Sequence, residues 1–165
     1  MPFNDLPAGV LTVLVVDDIA ATRRRLCNLV QKLGYCVISA KEGKSALALF
    51  EQAQPDIVLL DLLMPGLDGC EVALRIKALA GKKWVPVIVL SGLEGEHHLL
   101  AALEAGADDF LRKPTEPAIL ASKLKNLARV LVLQQQHAAL LSKSLAVSEN
   151  SFDAILVLGS DETIQ

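Results

Sequence analysis

Asp56-Ile57-Val58-Leu59-Leu60-Asp61-Leu62-Leu63-Met64-Pro65-Gly66-Leu67-Asp68-Gly69 is the stretch that decides how the rest of the chain is read. The apolar run Ile57 to Leu60 is short and bounded by Pro55 on one side and Pro65-Gly66 on the other, which predicts a strand buried on both faces. Asp61 then stands where a buried strand ends. In a doubly wound sheet that edge faces the crevice where ligands are held, beside loops free to bring other polar groups. Taken alone, Asp61 is read equally well as the cap of a turn before a helix starting near Gly69.

The flanking segments favour the crevice. Val10 to Val16 is a β-branched apolar run that stops at Asp17-Asp18, and Ala20 to Leu33 follows with helical spacing at Leu26, Leu29, Val30 and Leu33, closed by Gly34. Cys36 to Ala40 reads as a second strand and Gly43 to Gln52 as a second helix. After the Asp61 strand come a helix from Gly69 to Leu79, a strand from Pro86 to Leu90 ending in Ser91-Gly92, and a helix from Glu94 to Ala105. A short strand, Asp109-Phe110-Leu111, then ends in Arg112-Lys113-Pro114. Five strands alternating with helices imply parallel pairing, right-handed crossovers and helices on both faces. With strand order 2-1-3-4-5, Asp17, Asp18, Asp61, Ser91 and Lys113 meet at the switch point between the first and third strands.

Three clustered carboxylates raise one another's pKa unless a hard cation neutralises them, and oxygen-only ligands with room for water and phosphate suit Mg2+ or Mn2+. A phosphoryl group arriving at Asp61 would be contacted by the cation, the Lys113 ammonium and the Ser91 hydroxyl, which lowers the cost of an acyl phosphate. Gly92 has no side chain to block a phosphodonor.

Composition narrows the alternatives. The 165 residues, 52% of them hydrophobic, suffice for one core of about 120 to 130 residues plus an appendage. Net charge is −3 and the basic residues are scattered apart from Arg23-Arg24-Arg25, read as a solvated helix face, and Lys82-Lys83, so nucleic acid is not an expected partner. Cys27, Cys36 and Cys70 lack metal-ligand spacing and read as reduced core thiols. No apolar run reaches membrane-spanning length and Met1 to Gly9 lacks a basic leader, so the expected location is the cytoplasm. His97, His98 and His137 have no nucleophile at useful spacing and read as surface residues.

At this point the residues resemble a known family. From about Leu11 to Leu131 the chain is similar to the receiver domain of bacterial two-component response regulators, through Val13-Leu14-Val15-Val16-Asp17-Asp18, Asp61-Leu62-Leu63-Met64-Pro65-Gly66-Leu67-Asp68-Gly69, Val89-Leu90-Ser91-Gly92 and Asp108-Asp109-Phe110-Leu111-Arg112-Lys113-Pro114. The resemblance implies an α/β, flavodoxin-like, doubly wound five-stranded parallel sheet with an extended C-terminal helix. It implies that Asp61 is the phosphoacceptor, and that Asp17, Asp18, Asp61 and the backbone carbonyl of Leu63 hold Mg2+. It also implies that Lys113 and Ser91 bind the phosphate and that the Lys113-Pro114 bond is cis. Ser91 and Phe110 would form the switch, Phe110 standing where many members have Tyr. Leu63 and Leu93, two residues beyond Asp61 and Ser91, would tune attack by water, and both being apolar predicts slow hydrolysis. The implied partner is a phosphodonor histidine kinase or phosphotransfer protein.

The last helix does not stop where a receiver would. Leu120, Leu124, Leu127, Leu131, Gln134, Ala138, Leu141 and Leu145 follow the four-three spacing of a coiled coil, and a helix from Thr115 to about Ser148 would be about 50 Å long. A homodimer through this helix is expected, with Gln134 fixing register. Phe152 to Leu158 reads as a strand, Gly159 to Glu162 as a turn and Thr163 to Gln165 as a return strand, which resembles the beginning of a PAS sensor domain. The expected organisation is therefore a tail over residues 1–9, a receiver over 10–131, a helical linker over 132–150 and the start of a PAS-like domain over 151–165 of a longer protein.

Two other functions compete. A Mg2+-dependent phosphatase of the haloacid dehalogenase type also uses a carboxylate nucleophile, but it wants a second acid two residues on, where this chain has Leu63. A scaffold that dimerises without phosphorylation has no obvious use for the acidic, hydroxyl and lysine groups together. The expected chain catalyses only its own phosphoryl transfer and turns over no metabolite.

Overall fold

The computed structural model of the chain describes residues 10–92 and 96–163, with side chains described to residue 145 except at position 96. The chain alternates β1 (Thr12–Val16), α1 (Ala20–Lys32), β2 (Cys36–Ala40), α2 (Gly43–Ala53), β3 (Ile57–Asp61), α3 (Gly69–Ala80), β4 (Val87–Ser91), α4 (Glu96–Glu104), β5 (Asp109–Arg112) and α5 (Pro117–Thr163). All strand pairs are parallel and the order is β2-β1-β3-β4-β5. This is the doubly wound flavodoxin-like sheet. The expected tail, residues 1–9, lies outside the described residues, as does Leu93.

Every residue of β1, β3 and β4 is buried, which is why these strands read as continuous apolar runs instead of alternating ones. Alternate side chains serve opposite faces. Leu14, Val16, Val58, Leu60, Val87 and Val89 join Ala46 and Phe50 of α2, Val72, Ala73 and Ile76 of α3 and Ala102 of α4 in one core layer. The intervening Val13, Val15, Ile57, Leu59, Ile88 and Leu90 are fully buried too, and so are Leu26 and Val30 of α1 and Leu120 and Leu124 of α5.

Two carboxylates stitch the amino edge of the sheet. Asp56 accepts the Thr12 backbone N–H at 2.8 Å. Asp108 accepts the Val87 N–H at 2.8 Å, the Lys77 ammonium at 2.6 Å and the Trp84 indole N–H at 3.1 Å. Asp108 thus ties α3, the α3–β4 connection and β4 to the start of β5. At the other edge α3 begins hard against β3. A Cβ on Gly69 would lie 2.6 Å from the Asp61 carbonyl oxygen and 2.7 Å from the Leu62 Cα, so no side chain fits there without moving backbone. Asp68 caps α3, its side chain accepting the Glu71 N–H at 2.9 Å.

The chain divides into two compact units, Met1–Lys125 and Asn126–Gln165. In the first, Lys123 pairs with Asp109 at 2.6 Å, which fixes the opening turns of α5 to β5. The helix begins at Pro117, not Thr115, because proline's fixed φ suits a first helical position and its missing N–H is unpaired there in any case. In the second unit the helix continues without interruption, and this corrects one expectation. Phe152 to Leu158, expected as a strand before a turn at Gly159 to Glu162, is helical as far as Thr163. A strand there needs a neighbour to satisfy its backbone, whereas a helix satisfies its own. Among the described residues no helix is long and apolar enough to cross a membrane.

Removing the acceptor at Asp108 leaves the buried Val87 N–H without its partner. Asp108→Ala is expected to lower unfolding free energy by about 2 kcal/mol in urea titrations, with Asp108→Asn losing less. Gly69→Ala is expected to cost about 2 kcal/mol through backbone overlap. Gly92→Ala, where an added Cβ meets nothing within 4 Å, should stay within about 0.5 kcal/mol of the parent.

Candidate functional site

The carboxyl ends of β1, β3, β4 and β5 carry the site. Backbone hydrogen bonds continue the ladder one step past the strands: Asp17 N–H donates to the Ala40 carbonyl at 3.2 Å, Leu62 N–H to Leu90 at 3.0 Å and Lys113 N–H to Ser91 at 2.8 Å. These bonds set Asp17, Asp61, Ser91 and Lys113 at fixed positions along one rim. The Lys113 ammonium lies 2.9 Å from Asp17 Oδ2 and 3.0 Å from Asp61 Oδ1, so one cation bridges two carboxylates drawn from different strands. The Asp17 side chain is wholly buried and that of Asp61 is 6% exposed.

Local bonds hold these groups in place. Asp17 Oδ1 accepts the Ile19 N–H at 2.9 Å, and the Arg23 guanidinium donates to the Asp17 carbonyl at 2.8 Å. Asp61 Oδ1 accepts the Leu63 N–H at 3.4 Å, a weak turn contact; the helix cap is Asp68, so Asp61 is not spent on capping α3. The expectation that Arg23-Arg24-Arg25 is only a solvated face needs correction at Arg23, which is half-buried and anchors the acidic loop.

Carboxylate oxygens of Asp17, Asp18 and Asp61 all come within 4.8 Å of one another. Burial pushes the Asp61 carboxyl up to about 6; the hydrogen bond and charge of Lys113 oppose the rise, and the Asp17 charge and the Asp18 side chain reinforce it. For Lys113, burial acts to lower the pKa, but the hydrogen bonds to Asp17 and Asp61 overcome it and the ammonium is held above its ordinary value. Three acids served by one ammonium leave negative charge over, and an oxygen-only donor set fits a small hard divalent cation.

The remaining candidates sit around this cluster. Ser91 is buried, and its hydroxyl donates to the Gly92 carbonyl at 3.1 Å, not to Asp61. The space over Gly92 is open. Phe110 is half-buried at the margin of the core and lines a cavity of about 250 Å³ with Ser91, Leu99 and Arg112. The Leu63 side chain is 41% exposed. The Lys113-Pro114 peptide is cis. Gly69 was legible only as a helix start; its contact with the Asp61 carbonyl makes it part of the site's frame, and only the three-dimensional approach reveals that.

Known proteins share this arrangement. The family model for the response regulator receiver domain matches residues 13–125. Response regulator PleD of Caulobacter vibrioides is 38% identical over 117 residues, 71% of this chain and 26% of that protein. The phosphate regulon transcriptional regulatory protein PhoB of Pseudomonas aeruginosa is 35% identical over 118 residues, 72% of this chain and 52% of that one. Among solved structures, the chemotaxis protein CheY4 of Vibrio cholerae superposes with a TM-score of 0.67 at 28% identity, covering 72% of this chain and 98% of its own. The receiver domain of NtrX from Brucella abortus gives 0.66 at 28% identity, covering 71% and 98%. The chain spans about half or less of the length of these curated relatives. With its acidic cluster, bridging lysine and sheet order in place, the chain belongs to the response regulator receiver family.

Proposed function

We propose that the chain is the phosphoacceptor module of a two-component phosphorelay, phosphorylated on Asp61 and signalling through its C-terminal helix. The observation that carries this reading is the Lys113 ammonium set between Asp17 and Asp61 inside a three-carboxylate cluster. An Asp61 carboxylate oxygen attacks the phosphorus of a phosphohistidine, the P–N bond breaks with its electrons going to the imidazole, and an acyl phosphate forms. Lys113 neutralises charge on the transferred group as it arrives. Asp17, Asp18, Asp61 and the Leu63 backbone carbonyl are the groups that would hold Mg2+ or Mn2+, which supplies further charge neutralisation when bound. Ser91 would leave the Gly92 carbonyl to donate to the phosphate. Phe110 would turn into the cavity it lines with Leu99; as Phe it loses no hydroxyl hydration on entering and has no outward hydroxyl to hold it back.

The apolar Leu63, with Leu93, would disfavour a hydrolytic water and lengthen the acyl-phosphate lifetime. The donor is a histidine kinase or phosphotransfer protein. The output follows α5, through association with a second copy. A histidine-kinase or phosphotransfer donor supports a cytoplasmic location.

Incubation with acetyl phosphate and Mg2+ is expected to add one phosphoryl group to the parent, seen by intact mass, and none to Asp61→Asn or to the parent in chelator. An equal mass gain in Asp61→Asn would refute the assignment. The crowded carboxylates also set a pH signature. Because the folded chain holds the Asp61 proton more tightly than the unfolded one, this group's contribution to stability is full below the ordinary carboxylate range and is lost as pH rises through about 6. In chelator at pH 7, Asp61→Asn is therefore expected to melt about 5 °C above the parent and to lose that part of the pH slope. Equal melting temperatures across pH 4 to 7 would contradict the electrostatic account.

A further inference from the structure

Of the run Arg23-Arg24-Arg25, Arg24 and Arg25 are exposed, and the contact of Arg25 with the Thr115 carbonyl, at 3.5 Å, is too long to brace a loop. Arg23 is engaged differently. Helix α1 opens without a side-chain cap, because its N-cap position is held by Ile19, which has no side-chain oxygen to offer the first N–H groups. The joint between β1 and α1 is closed by other bonds. The Asp17 carboxylate accepts the Ile19 N–H at 2.9 Å, the Arg23 N–H donates to the Ile19 carbonyl at 2.9 Å, and the Arg23 guanidinium reaches back to the Asp17 carbonyl at 2.8 Å. Asp18 is the middle residue of that turn and the least buried of the three clustered acids, so its place beside Asp17 and Asp61 follows from the backbone on either side of it.

We infer that Arg23 is a positioning residue of the cation site: by holding the Asp17 carbonyl it fixes the turn that presents Asp18, and so sets how tightly the three acids hold a divalent cation. This rests on the proposed reading of Asp17, Asp18 and Asp61 as ligands of Mg2+. The acceptor it uses decides its role. The two Asp17 carboxylate oxygens face the Ile19 N–H and the Lys113 ammonium, while the guanidinium goes to a backbone oxygen, so it braces the acidic turn without competing for those side-chain oxygens. Groups that orient metal ligands from behind typically contribute about ten- to a hundredfold in affinity. A guanidinium near the cluster also repels a cation, and that effect has the opposite sign. Were Arg23 only a nearby positive charge, removing it would tighten Mg2+ binding; removing a brace weakens it. The direction of the change separates the two roles.

The test is calorimetric titration of Mg2+ alone into the whole 165-residue chain and into its Arg23→Met, Arg23→Lys and Arg24→Met variants, each well below the melting temperature it shows in chelator, so that folding stays out of the readout. Arg23→Met keeps the apolar stem and loses the donors, and is expected to bind Mg2+ about tenfold more weakly than the parent. Arg23→Lys keeps the charge and can still donate to a single carbonyl, so it should recover most of that loss. Arg24→Met removes the same charge one residue away and should bind as tightly as the parent or slightly more so. Equal or tighter binding by Arg23→Met, an equal loss in Arg23→Lys, or an equal loss in Arg24→Met would overturn the inference. A parent that takes up no Mg2+ would refute the cation reading itself, and this inference with it.

Discussion

One ammonium between two buried carboxylates is the constraint on which the molecule turns. Asp17 follows β1, Asp61 ends β3 and Lys113 follows β5, and β1 and β3 are buried along their whole length. Burial pushes the Asp61 carboxyl upward and acts to lower the pKa of Lys113, and their pairing opposes both effects. One cation serves three acids, so the set is unequal. The rest of the fold can be understood as what holds this unequal set together: parallel strands for register, helices on both faces to exclude water, and glycine where backbone must touch backbone.

The two edges of the sheet use acids in opposite ways. At the amino edge, Asp56 and Asp108 are matched to backbone N–H groups and to lysines, and their charge is consumed in joining elements. At the carboxyl edge the acids are left short of positive charge. A carboxylate satisfied by its surroundings is structural cement; one left short is ready to take a ligand. The same residue type is therefore structural or functional according to how many donors the local backbone gives it.

Much of this was legible in the sequence because strand burial writes itself as uninterrupted apolar runs, and because the residue after each run was polar. Val13 to Val16 before Asp17 and Ile57 to Leu60 before Asp61 gave strand, edge and candidate together. Relations between segments distant in sequence were less legible. The Gly69 approach to the Asp61 carbonyl, the Asp108 junction and the Arg23 anchor depend on how elements meet, and no periodicity encodes that. The end of the chain misled for a different reason: Phe152 to Leu158 is apolar and of strand length, yet its Ala154, Leu156 and Leu158 are equally good helix residues, and α5 continues through them.

The connection after β3 closes on itself, since the Gly69 N–H donates to the Leu62 carbonyl at 3.1 Å while Gly69 rests on the Asp61 carbonyl. Topologically it is a ring sealed at its neck. Of its residues, Met64 is buried in the core layer and Leu67 packs against it, while Pro65 and Gly66 form the exposed tip. The neck thus holds the end of β3 to the start of α3 independently of what the exposed tip of the ring carries.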